Sequence, residues 1–271
     1  MEKKIFFTDL DETLLTKEKT MTPATISAVE RVMQAGHYVA ITSGRPLVSV
    51  MEARQLLPVS DERLYYIANN GGLIVNAETM ETISEIRLTM EEAGHMFEEC
   101  EKAGIYCQTY TDKEIVAKTQ PPELTFYRKN IHMPVLLTDD ISGALDKPPF
   151  KCVAISMEGR SKLEALRASL LPWAEGHVNL ICSTDRLLEM FPVNAGKGDA
   201  LIRLAEYLHV PISHTMSAGD QDNDVSMLEA AGLGVAMCNG SIAAKAAANV
   251  ITEKDNNHDG LVPFLESFFE L

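Results

Sequence analysis

The stretch IFFTDLDETLL, residues 5–15, decides how the whole chain is read. Its first four residues are aromatic or β-branched, the composition of a buried strand. Its middle places Asp9 and Asp11 one residue apart. On an extended backbone, side chains two apart share a face. Two carboxylates so placed repel, unless a cation holds them or one keeps a proton. A strand ending in such a pair needs a compensating charge from elsewhere in the chain.

Working outward, MTPATISAVERVMQAG (21–36) carries helix signals at both ends, with Thr22 to cap, Pro23 in the first turn and Gly36 at the exit. HYVAIT (37–42) reads as a strand, PLVSVMEARQLL (46–57) as a helix and LYYIA (64–68) as a strand. From residue 214 the alternation returns, with strands in HTMSA, LGVAM and NVIT and helices in DVSMLEAAG, SIAAKAAA and GLVPFLESFF. Strand alternating with helix predicts a parallel sheet covered by helices.

The middle differs. LIVNAETMETISEI suggests a hairpin around 76–82, and TMEEAGHMFEECEKAG an amphipathic helix with Met90, Ala93, Met96, Phe97 and Cys100 on one side. IYCQTYTDKEIVAKT reads as two strands turning at Thr111–Lys113, and KCVAISM, SKLEALRASLL, HVNLICS and LLEMFP follow as strand, helix, strand and strand. DDISGALDKPP is turn-rich and expected on the surface. The chain is therefore expected to be α/β: a Rossmann-like parallel-sheet core domain (1–82 and 189–271) interrupted by an α+β domain (83–188).

With 24 basic against 39 acidic residues the formal charge is −15. A surface of that sign repels nucleic acid and anionic lipid, so neither is an expected partner. Five scattered cysteines show no zinc or redox spacing and read as buried thiols of a reducing compartment. No apolar run approaches membrane-spanning length, and MEKK opens directly into a short strand, so a cytoplasmic protein is expected.

Three further stretches fall where a strand of the parallel sheet meets a helix or loop, the end where ligands bind: ITSGRP (41–46), AGKGDAL (195–201) and SAGDQDNDVSML (217–228). In the last, Asp220, Asp222, Asn223 and Asp224 suit either capping of the next helix or a hard divalent cation with oxygen ligands. Ser43-Gly44 is either an ordinary turn or a hydroxyl and amides presented to a phosphate. Lys197 between two glycines is either a solvated lysine or one aimed at an anion.

Taken together and in order, DLDETLL, ITSGRP, AGKGDAL and GDQDND resemble the four signature motifs of the haloacid dehalogenase-like phosphohydrolases. NNGG (69–72), AMCNGS (236–241) and DNNHDGLVPFLE (255–266) narrow the resemblance to the Cof-type subfamily, whose large α/β cap lies between the second and third motifs. The resemblance implies that Asp9 is the nucleophile forming an aspartyl-phosphate, and that Asp11 protonates the leaving group and then activates water. It implies Mg²⁺ held by Asp9, the Asp11 carbonyl and Asp220, with Asp224 completing or buttressing the set. It places the Leu10 and Gly44 amides, Ser43, Lys197 and Asn223 around the phosphate. Arg45 and Asn70 are expected either to shape the pocket or to be structural.

The implied activity is hydrolysis of small phosphate monoesters, sugar phosphates foremost, by a monomer or weak homo-oligomer. A phosphomutase of the same superfamily and a catalytically weak sensor of phosphorylated metabolites are the alternatives. Thr13 is expected to fix its loop by local hydrogen bonds. Glu12 stands where the subfamily usually has glycine, so it must adopt a glycine-like backbone, and it is expected to disfavour bulky anionic leaving groups. The cap should set specificity, with FYRKNIHM (126–133) reading as solvated surface and His132 having no acid role.

Overall fold

The computed structural model describes residues 2–53 and 61–271. In chain order the regular elements are β1 (Ile5–Thr8), α1 (Pro23–Gln34), β2 (Tyr38–Thr42), α2 (Leu47–Ala53), β3 (Leu64–Ala68), β4 (Leu73–Asn76), β5 (Thr82–Glu85), α3 (Met90–Lys102), β6 (Tyr106–Tyr110) and β7 (Ile115–Ala117). There follow α4 (Pro122–Tyr127), β8 (Val135–Leu137), β9 (Cys152–Ile155), α5 (Arg160–Ala174), β10 (Val178–Thr184) and β11 (Leu187–Pro192). The chain closes with α6 (Lys197–Tyr207), β12 (Thr215–Gly219), α7 (Val225–Ala230), β13 (Leu233–Ala236), α8 (Ile242–Ala247), β14 (Val250–Ile251) and α9 (Val262–Phe269). The helix expected over 46–57 is α2 as far as Ala53; its remainder lies outside the described residues.

Two compact units result. The first comprises Met1–Gly44, Val50–Glu85 and Gly196–Leu271; the second comprises Arg45–Ser49 and Ile86–Ala195. The second unit extends past the expected 188 because β11 pairs antiparallel with both β9 and β10, which holds that strand in its sheet.

In the first unit the strands lie in the order β14-β13-β12-β1-β2-β3-β4-β5, parallel from β14 to β3, with β4 and β5 antiparallel. Strand alternation sends Ile5 and Phe7 into a cluster with Ile67, Leu201 and Leu204. Phe6 meets Phe269 of α9 edge-on, ring centres 6.4 Å apart. Each fully buried phenylalanine is worth about 1.5–3 kcal/mol. The α1 boundaries follow from chemistry: Thr22 accepts a hydrogen bond from the Thr25 amide, and Gly36 takes φ +88°. The central position of β1 is what brings Asp9 beside the end of β12: the Asp9 amide donates to the Ala218 carbonyl at 2.9 Å.

In the second unit the sheet runs β10-β11-β9-β6-β7-β8. Helices α3 and α5 cover one face through a cluster that includes Ala93, Met96, Phe97, Cys100, Leu163, Leu166 and Leu170. Two expectations need correction there. Ile141 and Leu145 of the turn-rich segment are buried in that cluster, so the segment is pinned by apolar anchors although its polar residues are outside. In 126–133, Tyr127, Ile131 and Met133 are buried, because Leu124 and Tyr127 of α4 pack on Ile115, Val153 and Ile155; His132 is exposed. All five cysteines are free thiols, four buried and Cys238 half-buried.

Candidate functional site

The polar centre of the first unit gathers at the carboxyl ends of β1 and β12 and the start of α6. Lys197, the first residue of α6, has no exposed side-chain surface. It donates to Asp9 Oδ1 at 2.6 Å and to Asp224 Oδ1 at 2.5 Å. Gly198 is needed beside it: a Cβ there would lie 2.3 Å from the Ser226 carbonyl oxygen, so a side chain would push α6 off α7. Gly198 therefore serves the close packing of α6 on α7, whereas a Cβ at Gly196 would meet the Asp199 carboxylate at 2.9 Å.

Asp220 follows β12 and is fully buried. Its Oδ1 accepts from Thr13 Oγ1 at 2.9 Å and its Oδ2 from Gln221 Nε2 at 2.8 Å. Asp224 turns its Oδ2 back onto the Asp220 and Gln221 amides, both at 2.9 Å. Asp224 therefore fastens the turn with one oxygen and faces the lysine with the other. Thr13 bonds not locally, as expected, but to a residue 207 positions away.

One carboxylate oxygen from each of Asp9, Asp220 and Asp224 lies within 4.8 Å of the other two, the one such acidic group among the described residues. Asp222 of the same motif stands outside it. Burial raises the Asp9 pKa well above the ordinary value against the pull of Lys197, with Asp224 and Asp220 pushing further. Burial, then Asp224, pushes Asp220 up to about 7. Burial works against the Lys197 charge, but Asp224 and Asp9 outweigh it and hold its pKa above that of an ordinary lysine. Three buried carboxylates facing one ammonium leave negative charge uncompensated in a low dielectric. The all-oxygen donor set fits a hard divalent cation, which Asp9, Asp220 and Asp224 are placed to hold.

Asp11 lies beside this group on a loop closed by bonds from the Leu14 and Leu15 amides to the Leu10 carbonyl, at 3.1 and 2.7 Å. Its side chain is one-third exposed and accepts from Lys19 at 2.7 Å. Leu10 is fully buried. Glu12 takes φ +61°, the glycine-like conformation expected of it, and Asn239 Nδ2 holds its carbonyl at 2.9 Å. Further along, Asn256 Nδ2 donates to the Leu15 carbonyl at 2.7 Å, and Asn257 Oδ1 accepts from the Lys17 amide at 3.0 Å. These clasps from residues 239–257 were not visible in sequence, since nothing local in an asparagine announces a partner more than 200 residues away.

The ITSGRP turn closes by bonds from the Ser43 amide to the Ile67 carbonyl at 2.8 Å and from the Asn70 amide to the Ser43 carbonyl at 3.1 Å. A Cβ at Gly44 would lie 2.8 Å from Asn70 Oδ1, which also accepts from Asn223 Nδ2 at 3.4 Å. Ser43, Gly44, Asn70 and Asn223 thus form one polar corner. Arg45 falls in the second unit, where it donates to Ser49 Oγ at 3.3 Å.

A sequence model of the haloacid dehalogenase-like hydrolases matches residues 6–265. The chain belongs to that family. The E. coli pyridoxal phosphate phosphatase is 27% identical to it over 98% of this chain and 99% of its own. A Bacillus subtilis 5-amino-6-(5-phospho-D-ribitylamino)uracil phosphatase is 26% identical over 97% and 96%. The crystal structure of a haloacid dehalogenase-like hydrolase from Bacteroides thetaiotaomicron superposes with TM-score 0.86 at 27% identity, covering 98% and 99% of the two chains. The protein is an enzyme of this hydrolase family, and no described helix is long and apolar enough to cross a membrane.

Proposed function

We propose that this hydrolase is a magnesium-dependent phosphatase that cleaves small phosphate monoesters through an aspartyl-phosphate on Asp9. The convergence of Asp9, Lys197, Asp220 and Asp224 carries this reading. An Asp9 oxygen attacks phosphorus while the ester P–O bond breaks and Asp11 gives its proton to the departing alkoxide. Asp11 then takes a proton from water, which attacks the phosphorus of the acyl phosphate and frees inorganic phosphate and Asp9. The Lys19 pair must open for Asp11 to act. Both its members are about one-third or more exposed, so the pair is weak and opening is cheap.

Lys197 orients Asp9 and offers positive charge to the phosphate oxygens, with the Ser43 hydroxyl, the Asn223 side chain and the Leu10 and Gly44 amides supplying further donors. Magnesium, held by Asp9, Asp220 and the Asp11 carbonyl with Asp224 behind, would offset the negative charge shared by the carboxylates and the phosphate. The substrates are small phosphorylated metabolites. The two named relatives act on a phosphorylated pyridine and a phosphorylated ribityl chain, which favours polar leaving groups bearing hydroxyls. The second unit acts as the cap that sets this choice.

Phosphate release from p-nitrophenyl phosphate with Mg²⁺, and without any bisphosphate activator, tests the reading. Wild type should turn over, EDTA should stop it, and Asp9→Asn should lose at least about 10³-fold. Equal turnover by wild type and Asp9→Asn would remove Asp9 as nucleophile.

A further inference from the structure

Strand β3 returns into β4 through Asn69, Asn70, Gly71 and Gly72, with Ala68 and Leu73 paired across the turn. Three successive residues take positive φ there: Asn69 at +53°, Asn70 at +58° and Gly71 at +100°. Asparagine and glycine enter this region most readily, so backbone need explains the composition of the turn. It does not explain the burial. Hairpin turns ordinarily lie at the surface, whereas Asn69, Asn70 and Gly71 are all buried and only 1% of Asn70 is exposed. If position 70 needed only this conformation, glycine would meet the need at less strain. The amide side chain is the part that calls for a reason.

Its contacts supply one. The Asn70 backbone N–H donates to the Ser43 carbonyl at 3.1 Å, and its side-chain Oδ1 accepts from Asn223 Nδ2 at 3.4 Å. A Cβ at Gly44 would lie 2.8 Å from the same Oδ1, so the bare backbone of Gly44 is what lets the Asn70 amide lie against it. Asn70 thus touches both stretches, 41–46 and 217–228, that hold candidate phosphate donors. The Asn223 amide nitrogen has two hydrogens, and anchoring one on Asn70 fixes the direction of the other.

The turn is braced in its turn from α6. Arg203 Nη2 donates to the Gly71 carbonyl at 2.6 Å. Helix α6 begins with Lys197, so one rigid element presents that lysine and, about 9 Å of helical rise further on, the guanidinium that braces the turn. Non-glycine residues in the left-handed region persist where their surroundings over-determine them, and the bond from Arg203 does so here.

We propose that Asn70 is a positioning residue for the phosphate donors Ser43, Gly44 and Asn223, and that Arg203 acts through it by bracing the Asn69–Gly71 turn. This assignment rests on the phosphatase reading above and adds two residues to the machinery of that site.

The test uses the full-length protein with Mg²⁺ and reads the Ki of inorganic phosphate as a competitive inhibitor of p-nitrophenyl phosphate turnover, beside kcat/KM. Asn70→Gly keeps the backbone conformation and the N–H bonded to Ser43 while removing the side chain. It should raise Ki at least ~10-fold, as expected when hydrogen bonds to a charged group are misaligned. It should lower kcat/KM by at least the same factor, because the donors act on the transition state as well. A merely structural loss would reduce the fraction of active protein, and so kcat, while leaving Ki where it was. Arg203→Met should raise Ki by a smaller factor, and Arg203→Lys, which keeps a donor, should return it to within about twofold of wild type. In the Asn70→Gly background Arg203→Met should add nothing, since both changes act through one side chain. The Arg203 variants decide the matter if Asn70→Gly fails to fold. A Ki within about twofold of wild type in Asn70→Gly or in Arg203→Met, or effects of the two substitutions that multiply, overturns the assignment. A wild type that neither turns over p-nitrophenyl phosphate nor binds inorganic phosphate overturns the phosphatase reading, and this assignment with it.

Discussion

Each unit buries one lysine against carboxylate, and the two settings differ in stoichiometry. Lys151 donates to Glu189, and Ser183 donates to the other oxygen of that carboxylate. Lys197 faces Asp9 and Asp224 directly, and Asp220 shares the same cluster. Both lysines are essentially inaccessible, so burial alone does not tell them apart. Charge balance does. The Lys151–Glu189 pair matches one positive with one negative charge; the second setting carries an excess of negative charge that only a cation, or protons, can offset. Counting charges within a buried cluster therefore separates a cation site from a neutral polar pair that such a count would never flag.

The sharpest way to break this comparison is to remove each lysine. Lys197→Met should cost about 10²–10³-fold in turnover, the usual loss for one preorganised charge at a transition state. It should also destabilise the metal-free protein by roughly 3–5 kcal/mol, because three carboxylates stay buried. Saturating Mg²⁺ should recover most of that stability but not the activity, read by urea denaturation with and without the ion. Lys151→Met should cost a similar ~3–5 kcal/mol by stranding Glu189. Here Mg²⁺ should recover nothing, and the double variant K151M/E189L should return to within about 1 kcal/mol of wild type. Recovery of the Lys151 variant by Mg²⁺ would contradict the distinction between the two settings.

The acidic excess also predicts a dependence on pH. Asp220 titrates near 7 in the folded protein against an ordinary value of 3.8. The folded state therefore binds this proton more tightly than the unfolded one. Its contribution is fully present below about pH 4 and is lost as pH rises through 7, by at most about 4 kcal/mol. The metal-free protein should lose stability across that window, and Mg²⁺, which competes with the proton, should raise Tm more at pH 8 than at pH 5. Equal gains at the two pH values would mean that the ion binds away from Asp220.

The same contrast explains what sequence alone reveals. The parallel sheet was legible because its strands are short apolar runs and its helices carry caps at both ends, as at Thr22 and Gly36. The acidic and basic residues that gather in the first unit could be singled out in sequence because each sits in a short motif where a strand gives way to a helix or loop. What stayed hidden acts at long range or in short elements. Lys151 and Glu189 are 38 residues apart, and the bond between Thr13 and Asp220 joins positions from opposite halves of the chain. Helix α4, with six residues opening on Pro121-Pro122, is too short to show a period. Strand β8 has only three residues. Ile141 and Leu145 are two apolar side chains within a run of turn formers, and only the packed cluster shows them as anchors.

The smallest expected effect concerns Glu12, whose φ of +61° carries the strain that glycine avoids. A non-glycine residue in that region costs roughly 1–2 kcal/mol, and glycine gives back about 0.5–1 kcal/mol in chain entropy. Glu12→Gly should therefore be neutral to about 1 kcal/mol more stable, since the backbone bond from Asn239 to the Glu12 carbonyl survives the change. Its charge is the part that bears on function. If Glu12 disfavours bulky anionic leaving groups, Glu12→Gly should raise kcat/KM for a sugar bisphosphate relative to the corresponding monophosphate, more at low than at high ionic strength. A gain in stability with unchanged selectivity would reduce Glu12 to a tolerated substitution, its backbone accommodated and its carboxylate without influence on the choice of substrate.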